Sequence, residues 1–173
     1  MNSSKALING EKTRRPGVSE KMGTEKYISE VKNITSPQQI VYSYLSDLNN
    51  FEQLFDPKRI EELKKQHPGT PDIKLDNFRA TTDECSFSIS PVGTIGVQII
   101  GREPSKLIKL TGSKSVPFQF NCWIQLLPID DANCRVKITL HAELNPMIKM
   151  MVDKYLKEGV DRIAEALTKI QYS

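Results

Sequence analysis

The feature that most limits what this chain can become is one long amphipathic stretch at its end. Asn145-Pro146 opens it, an Asn cap followed by Pro at the first helical position. From there Ile148, Val152, Tyr155, Leu156, Val160, Ile163, Leu167 and Ile170 recur in steps of three and four, so they share one face of a helix. Charged residues, among them Lys149, Lys154, Lys157, Asp161, Arg162 and Glu165, fill most of the remainder. A helix over Asn145–Ile170 spans about 37 Å at about 1.5 Å per residue. Alone in water such a helix is marginal, so a broad apolar surface must cover its stripe.

The segments before it supply that surface. From Asp76 onward the apolar period is two. Cys85, Phe87 and Ile89 alternate with serines, and Ile95, Val97 and Ile99 with Gly96 and Gln98. Phe118, Phe120, Cys122, Ile124 and Leu126 alternate with polar residues and Trp123; Val136, Ile138, Leu140, Ala142 and Leu144 alternate with Lys137, Thr139, His141 and Glu143. Short turns between these runs predict an antiparallel meander. Upstream, Lys26–Ile34 reads as a strand. Ser36-Pro37 starts a helix with Ile40, Val41, Tyr44, Leu45 and Leu48 on its apolar face, and Phe51–Phe55 forms a second short turn. Asp56–Leu75, with Ile60 and Leu63 as its anchors and the breaker His67–Pro71, reads as an exposed excursion able to lie over a cavity mouth. Residues 1–24 lack apolar periodicity and read as a disordered tail or a non-native extension, with Met22 as a plausible natural start. Residues 25–173 read as one domain.

The order is one strand, two short helices, a run of about six strands and a long helix. In this order the chain resembles the START-like, birch-pollen-allergen-like superfamily, including its bacterial polyketide cyclase/dehydrase and lipid-transport branch. The resemblance runs from about Glu25 to Ile170. It rests on Ser36-Pro-Gln-Gln-Ile-Val-Tyr-Ser-Tyr-Leu-Ser-Asp-Leu-Asn-Asn-Phe51, on Glu103-Pro104 ahead of the Leu107 strand, and on Trp123–Pro128 running by a hairpin into Val136–Leu144. Two features depart from that pattern: Asp56–Leu75 is longer and more charged than the usual connection, and Leu54-Phe55-Asp56-Pro57 stands where a Trp-Pro element is common. The resemblance implies an α+β helix-grip fold, a curved antiparallel sheet of about seven strands around the long C-terminal helix. It also implies an internal apolar cavity for a lipid, an isoprenoid or an aromatic polyketide.

Composition narrows the chemistry. The net charge of +3 resides in residues 1–24, which hold five basic and two acidic residues and leave 19 of each sign in the body. The body therefore has no basic excess for nucleic acid. No apolar run reaches the roughly 20 residues of a membrane span. Three cysteines without a CxxC pair fit a reducing cytoplasm and read as small buried hydrophobes. A metal site or a cofactor motif is not visible, and no catalytic constellation is either: the two histidines stand in the breaker (His67) and on the polar face of the last strand (His141). The function expected is binding, and by extension transport, of a small hydrophobic molecule. The alternatives are a cyclase or dehydrase acting on such a molecule and a ligand-free protein-interaction module. The expected cavity lining is Phe87, Ile99, Phe118, Phe120, Ile138, Leu140, Met147, Met151, Val152 and Tyr155. The flexible thioethers Met147, Met150 and Met151 are expected near it, and Gly159 is expected to mark a close approach of sheet or loop to the helix. Trp123 lies on the polar register of its strand, and its direction stays open.

Overall fold

The computed structural model describes residues 23–66, 68–69, 74–90, 93–113, 116 and 118–172. The readings made for residues 1–22, His67 and residues 70–73 lie outside the described residues, as does the side chain of Leu63. Among the described residues the elements are β1 (Gly23–Ile28), β2 (Lys32–Ile34), α1 (Gln38–Leu45), a 3-10 segment (Leu48–Phe55), α2 (Pro57–Gln66), β3 (Lys74–Ala80), β4 (Glu84–Ser90), β5 (Gly93–Glu103), β6 (Leu107–Gly112), β7 (Phe120–Pro128), β8 (Cys134–Leu144) and α3 (Pro146–Thr168). The strands form one antiparallel sheet in the order β1-β8-β7-β6-β5-β4-β3, with β2 also paired to β8.

Eight strands stand where about seven were expected because Lys26–Ile34 is two strands. Ser29 breaks the ladder: its backbone N–H donates to the Ile138 carbonyl at 2.9 Å, and its hydroxyl accepts from the Ile138 N–H at 2.9 Å. A side chain takes over one ladder bond there, and the strand restarts at Lys32. Register shifts between Ile99 and Gly101 in β5 and between Asp76 and Arg79 in β3, as β-bulges do when they bend a sheet. The first helix starts one residue later than Ser36-Pro37 suggested. Ser36 does not act as its side-chain cap; the Pro37 carbonyl accepts from the N–H groups of Ile40 and Val41. The first helix ends at Leu45, and Leu48 belongs instead to the 3-10 segment, which Asp47 caps by accepting from the Asn49 N–H at 3.0 Å.

The C-terminal helix begins as its sequence dictates: the Asn145 side chain accepts from the Ile148 N–H at 2.8 Å, with Pro146 at the first position. Its seam is Ile148, Val152, Leu156, Val160, Ala164 and Leu167, with Ile148 and Leu156 partly buried and the rest buried, and it packs on β8, β1 and β2. Ala164, not Ile163, occupies the seam at its level, and Ile163 is exposed. One position after the seam, a polar stripe ties the helix to the sheet edge. Lys149 pairs with Glu25 at 2.9 Å, Asp153 Oδ1 accepts from the Tyr27 hydroxyl at 2.7 Å, Asp161 Oδ1 accepts from the Glu30 N–H at 2.8 Å, and Glu165 pairs with Lys32 at 3.7 Å. Solvent-exposed ion pairs of this kind contribute little stability individually. Two ion pairs and two hydrogen bonds in a row along one flank fix the rotation of the helix about its axis.

Two expectations follow from these contacts. Burial and the Asp153 carboxylate hold the Tyr27 hydroxyl protonated, raising its pKa well above the ordinary tyrosine value; burial does the same at Tyr172. Unfolded, both ionise near about pH 10. Above that pH the unfolded state holds fewer protons than the native state, so stability falls as pH rises. The urea midpoint should decline above about pH 10, and Tyr27→Phe should remove part of that decline; an unchanged slope would show that Tyr27 is not protonated by its surroundings. The second concerns α2. Most of its side chains are exposed, Ile60 is half-buried, and Arg59 ties it to the end of α3 by donating to the Lys169 carbonyl at 2.7 Å. Hydrogen exchange should therefore reach the α2 amides well before those of β8; equal protection would mean that α2 is an integral part of the core.

Candidate ligand-binding cleft

Strand register defines the face that α3 covers. Phe120 pairs with Ala142, Cys122 with Leu140, Ile124 with Ile138 and Leu126 with Val136. Paired residues in an antiparallel ladder point to the same side. Following the pairs outward adds Ile108 and Leu110 on β6, Val97 and Ile99 on β5, Cys85 and Phe87 on β4, and Leu75 and Ala80 on β3. Tyr27, opposite Leu140, reaches Asp153 from this side, so this is the face turned toward α3. Trp123 lies on the other face in its regular register, with no bulge. His141 stands 4.7 Å from its ring and the Lys109 ammonium 5.2 Å from its centre, which settles its direction as outward and places His141 outside too.

The helix covers only one side of this face. It packs on β8, β1 and β2, while α1 packs on β7 and β6 and the 3-10 segment on β3 and β4. Between these covers the sheet keeps accessible apolar surface at Phe87, Val97, Phe120 and Cys122. The helix presents a matching flank. One position before its seam run Met151, Tyr155, Gly159 and Ile163, opposite in direction to the polar stripe docked on β1 and β2. Farther along that flank, Ala166 shares a small cleft of about 30 Å³ with Leu54, Arg59, Glu62 and Gln66, so it faces α2 and the 3-10 segment. Gly159 is half-buried, yet a Cβ built on it meets no atom within 4 Å. The mid-helix glycine was expected to mark a close approach; it borders open space instead. This helix flank and the accessible sheet residues together make the candidate cleft.

The expected lining residues divide accordingly. Phe87, Phe120 and Tyr155 are partly accessible. Ile138 and Val152 are core residues at 1% and 7% exposure, and Ile99, Phe118 and Leu140 are buried as well. Met147 and Met151, expected inside, are exposed at 73% and 67%, with Met150 beside them. The reason is the drift of the seam: a helix anchored by Ile148 and Val152 turns positions 147, 150 and 151 off the contact line. Phe55, absent from the expected set, closes the far wall; its ring lies 4.9 Å from Phe87 and 4.6 Å from Phe78. Behind it is a wider polar groove of about 620 Å³ along the edge strand β3, with Glu52, Asp56 and Asp76 on its walls.

The cleft is chemically quiet. Burial pushes the Cys122 thiol up to about 12 and the Cys85 thiol up to about 11. Both stay protonated at neutral pH and act as small apolar groups rather than nucleophiles. Among the described residues no group of histidines, cysteines or carboxylates is arranged to hold a metal. On Gly159 the structure makes a quantitative claim. Gly159→Ala should raise helix propensity by up to about 1 kcal/mol with no steric cost, read as a higher denaturant midpoint; a lower midpoint would mean that the gap is filled.

No protein-family model matches the sequence, and no curated protein matches it. Solved structures do match. Norcoclaurine synthase from Thalictrum flavum, solved with dopamine and hydroxybenzaldehyde, is 13% identical with a TM-score of 0.57, over 96% of this chain and 95% of that one. A START superfamily protein from Mycobacterium smegmatis is 13% identical with a TM-score of 0.56, over 84% of this chain and 94% of that one. The Zhui aromatase/cyclase from Streptomyces sp. R1128 is 9% identical with a TM-score of 0.51, over 85% and 95%. The open antiparallel sheet, the long helix across its concave face and these neighbours agree: the chain has the helix-grip fold of the START and birch-pollen-allergen-like proteins.

Proposed function

We propose that the protein binds a small hydrophobic molecule in the cleft between α3 and the concave face of the sheet. The observations that support this reading are the half-buried Gly159, beside which a Cβ would meet no atom within 4 Å, and the partly accessible apolar sheet residues Phe87, Val97, Phe120 and Cys122. Apolar surface left uncovered inside a fold is costly unless something occupies it. Neighbours of the same fold include an enzyme solved with two small aromatic compounds and an aromatase/cyclase, which supports a ligand of that size. The ligand enters past Met147, Met150 and Met151, whose flexible side chains suit varied apolar shapes. Residues 25–173 form the binding domain. Nucleic acid is not the ligand, because that body carries no net charge. No helix among the described residues is long and apolar enough to cross a membrane. The unpaired Cys85, Cys122 and Cys134 fit a protein of the reducing cytoplasm.

The test is a fluorescence titration with diphenylhexatriene, a hydrocarbon that emits when it leaves water. Burial at roughly 25 cal/mol per Å², less the cost of association, leaves room for a Kd on the order of micromolar. Gly159→Leu, which puts an isobutyl group into the gap, should weaken binding while leaving the circular dichroism unchanged. Absence of saturable binding to the wild type would defeat the reading. Binding that Gly159→Leu does not alter would move the site elsewhere.

A further inference from the structure

The first turns of α3 carry apolar side chains on the side turned away from the sheet. Met147, Met150 and Met151 are exposed at 73%, 87% and 67%, while Ile148 and Val152 among them turn inward. Positions 147, 150, 151 and 154 are spaced three and four apart, so the three thioethers and Lys154 share one solvent-facing side of the helix. Single apolar residues scattered over a surface are ordinary. Three contiguous ones mark a place of contact.

The charges around this patch select the partner. Of the acidic groups nearby, Asp153 accepts from the Tyr27 hydroxyl, Glu25 pairs with Lys149 at 2.9 Å, and Glu158 lies 3.9 Å from Arg162. Glu143 is exposed and shares the convex register of His141. Lys154 and Lys157 are exposed four and seven residues beyond Met150, on its side of the helix. Residues 1–22 add five basic groups and two acidic ones. They join the domain at this end, because Gly23 pairs with Leu144, three positions before Met147. The apolar patch therefore stands beside the point where the chain's positive excess is attached. A protein partner is usually gripped by rigid aromatic and arginine anchors. Flexible thioethers beside long ammonium stems suit a fluid apolar layer under a plane of phosphates: the stems lie along the methionines and their heads stay at the headgroups.

We propose that the first turns of α3 are a docking surface for an anionic lipid bilayer. Met147, Met150 and Met151 enter the boundary of the acyl layer, while Lys154, Lys157 and the basic residues before Gly23 hold the anionic headgroups. The contact is peripheral, since no helix among the described residues is long and apolar enough to cross a membrane. Neither signal suffices alone: three side chains bury little apolar area, and exposed charges are screened by salt. Together they give a reversible attachment. The docking goes beyond the cleft reading and does not depend on it, because every group it uses lies on the outside of the helix or ahead of β1.

The full chain is mixed with vesicles of phosphatidylcholine alone and with vesicles of phosphatidylcholine holding phosphatidylserine as the minor lipid, and bound protein is read by flotation. Binding to the serine-lipid vesicles should be at least about tenfold stronger and should weaken as salt rises. Met147→Ser, Met150→Ser and Met151→Ser combined should lower it about tenfold. Circular dichroism and melting should not change, because those side chains already lie in water. Changing Lys5, Lys12, Arg14, Arg15 and Lys21 to Gln should lower binding as well. Undiminished binding by the serine variant would show that charge alone attaches the chain and would overturn the patch. Equal binding to both vesicles would overturn the choice of an anionic surface, and binding to neither would overturn the proposal outright. Sedimentation velocity tests the competing occupant: a wild-type dimer that the serine variant dissolves would assign the methionines to a second copy of the chain and overturn the proposal too. The cleft reading is judged by its own titration and stands or falls apart from these results.

Discussion

Everything in this fold depends on how α3 is held against β8, β1 and β2. The apolar seam from Ile148 to Leu167 supplies the contact, and the row of polar partners from Lys149–Glu25 to Glu165–Lys32 fixes the angle about the helix axis. The seam alone would tolerate some rolling, because Val, Leu and Ala side chains pack without direction. Hydrogen bonds at 2.7 and 2.8 Å to Tyr27 and to the Glu30 N–H do not tolerate it. The helix is therefore drawn toward one edge of the sheet, and the opposite flank is left facing strands that it does not cover.

That asymmetry leaves the apolar sheet surface on which the proposed cleft rests. A centred helix would bury Phe120, Cys122 and Val97 as fully as it buries Ile138 and Val136. With the helix displaced, α1 and the 3-10 segment cover the far strands, and a gap remains between the two groups of covering elements. Phe55 limits the gap on one side by seating its ring on Phe78 and Phe87. Gly159, where a Cβ would meet no atom within 4 Å, lies on the helix flank turned to the other side. Exposed methionines at the first turns of α3 and the tether from Arg59 to the Lys169 carbonyl stand at opposite ends of the helix. The concave surface is apolar because strand alternation assigns its polar partners, Trp123 and His141 included, to the convex face.

The fold lives in the packing of that helix; the function proposed for it lives in what the packing leaves uncovered. The two are coupled energetically. Residues that stabilise the domain most, such as Ile138 and Val152, cannot also greet a ligand, because they have no free surface left. Residues able to contact a ligand, such as Phe87, Phe120 and Tyr155, are the ones whose burial is incomplete. Gly112 shows how closely the sheet is fitted near the cleft: a Cβ there would come within 2.7 Å of the Phe120 ring, so its absence lets that ring lie down on β6.

The architecture was legible from local signals. Two-residue alternation in the later strands, the Asn145-Pro146 cap and the three-and-four spacing after it act over short range, and they dictated the later strands, the start of α3 and the sense of each sheet face. Trp123 on the outer register follows from the same rule. The site was legible only in part. Alternation told that Phe87, Phe120 and Ile138 share a face, but not that α3 would seal Ile138 and leave Phe120 accessible, because that depends on where a distant helix settles. The inward placement of Met147 and Met151 failed for the same reason: a helical stripe is wide enough to be docked at several angles, and the polar contacts to Glu25, Tyr27, Glu30 and Lys32, more than 115 residues away along the chain, chose one of them. Gly159 carried a signal in the sequence without its sign. A glycine in mid-helix announces either a close neighbour or an empty space, and only the tertiary structure decided which.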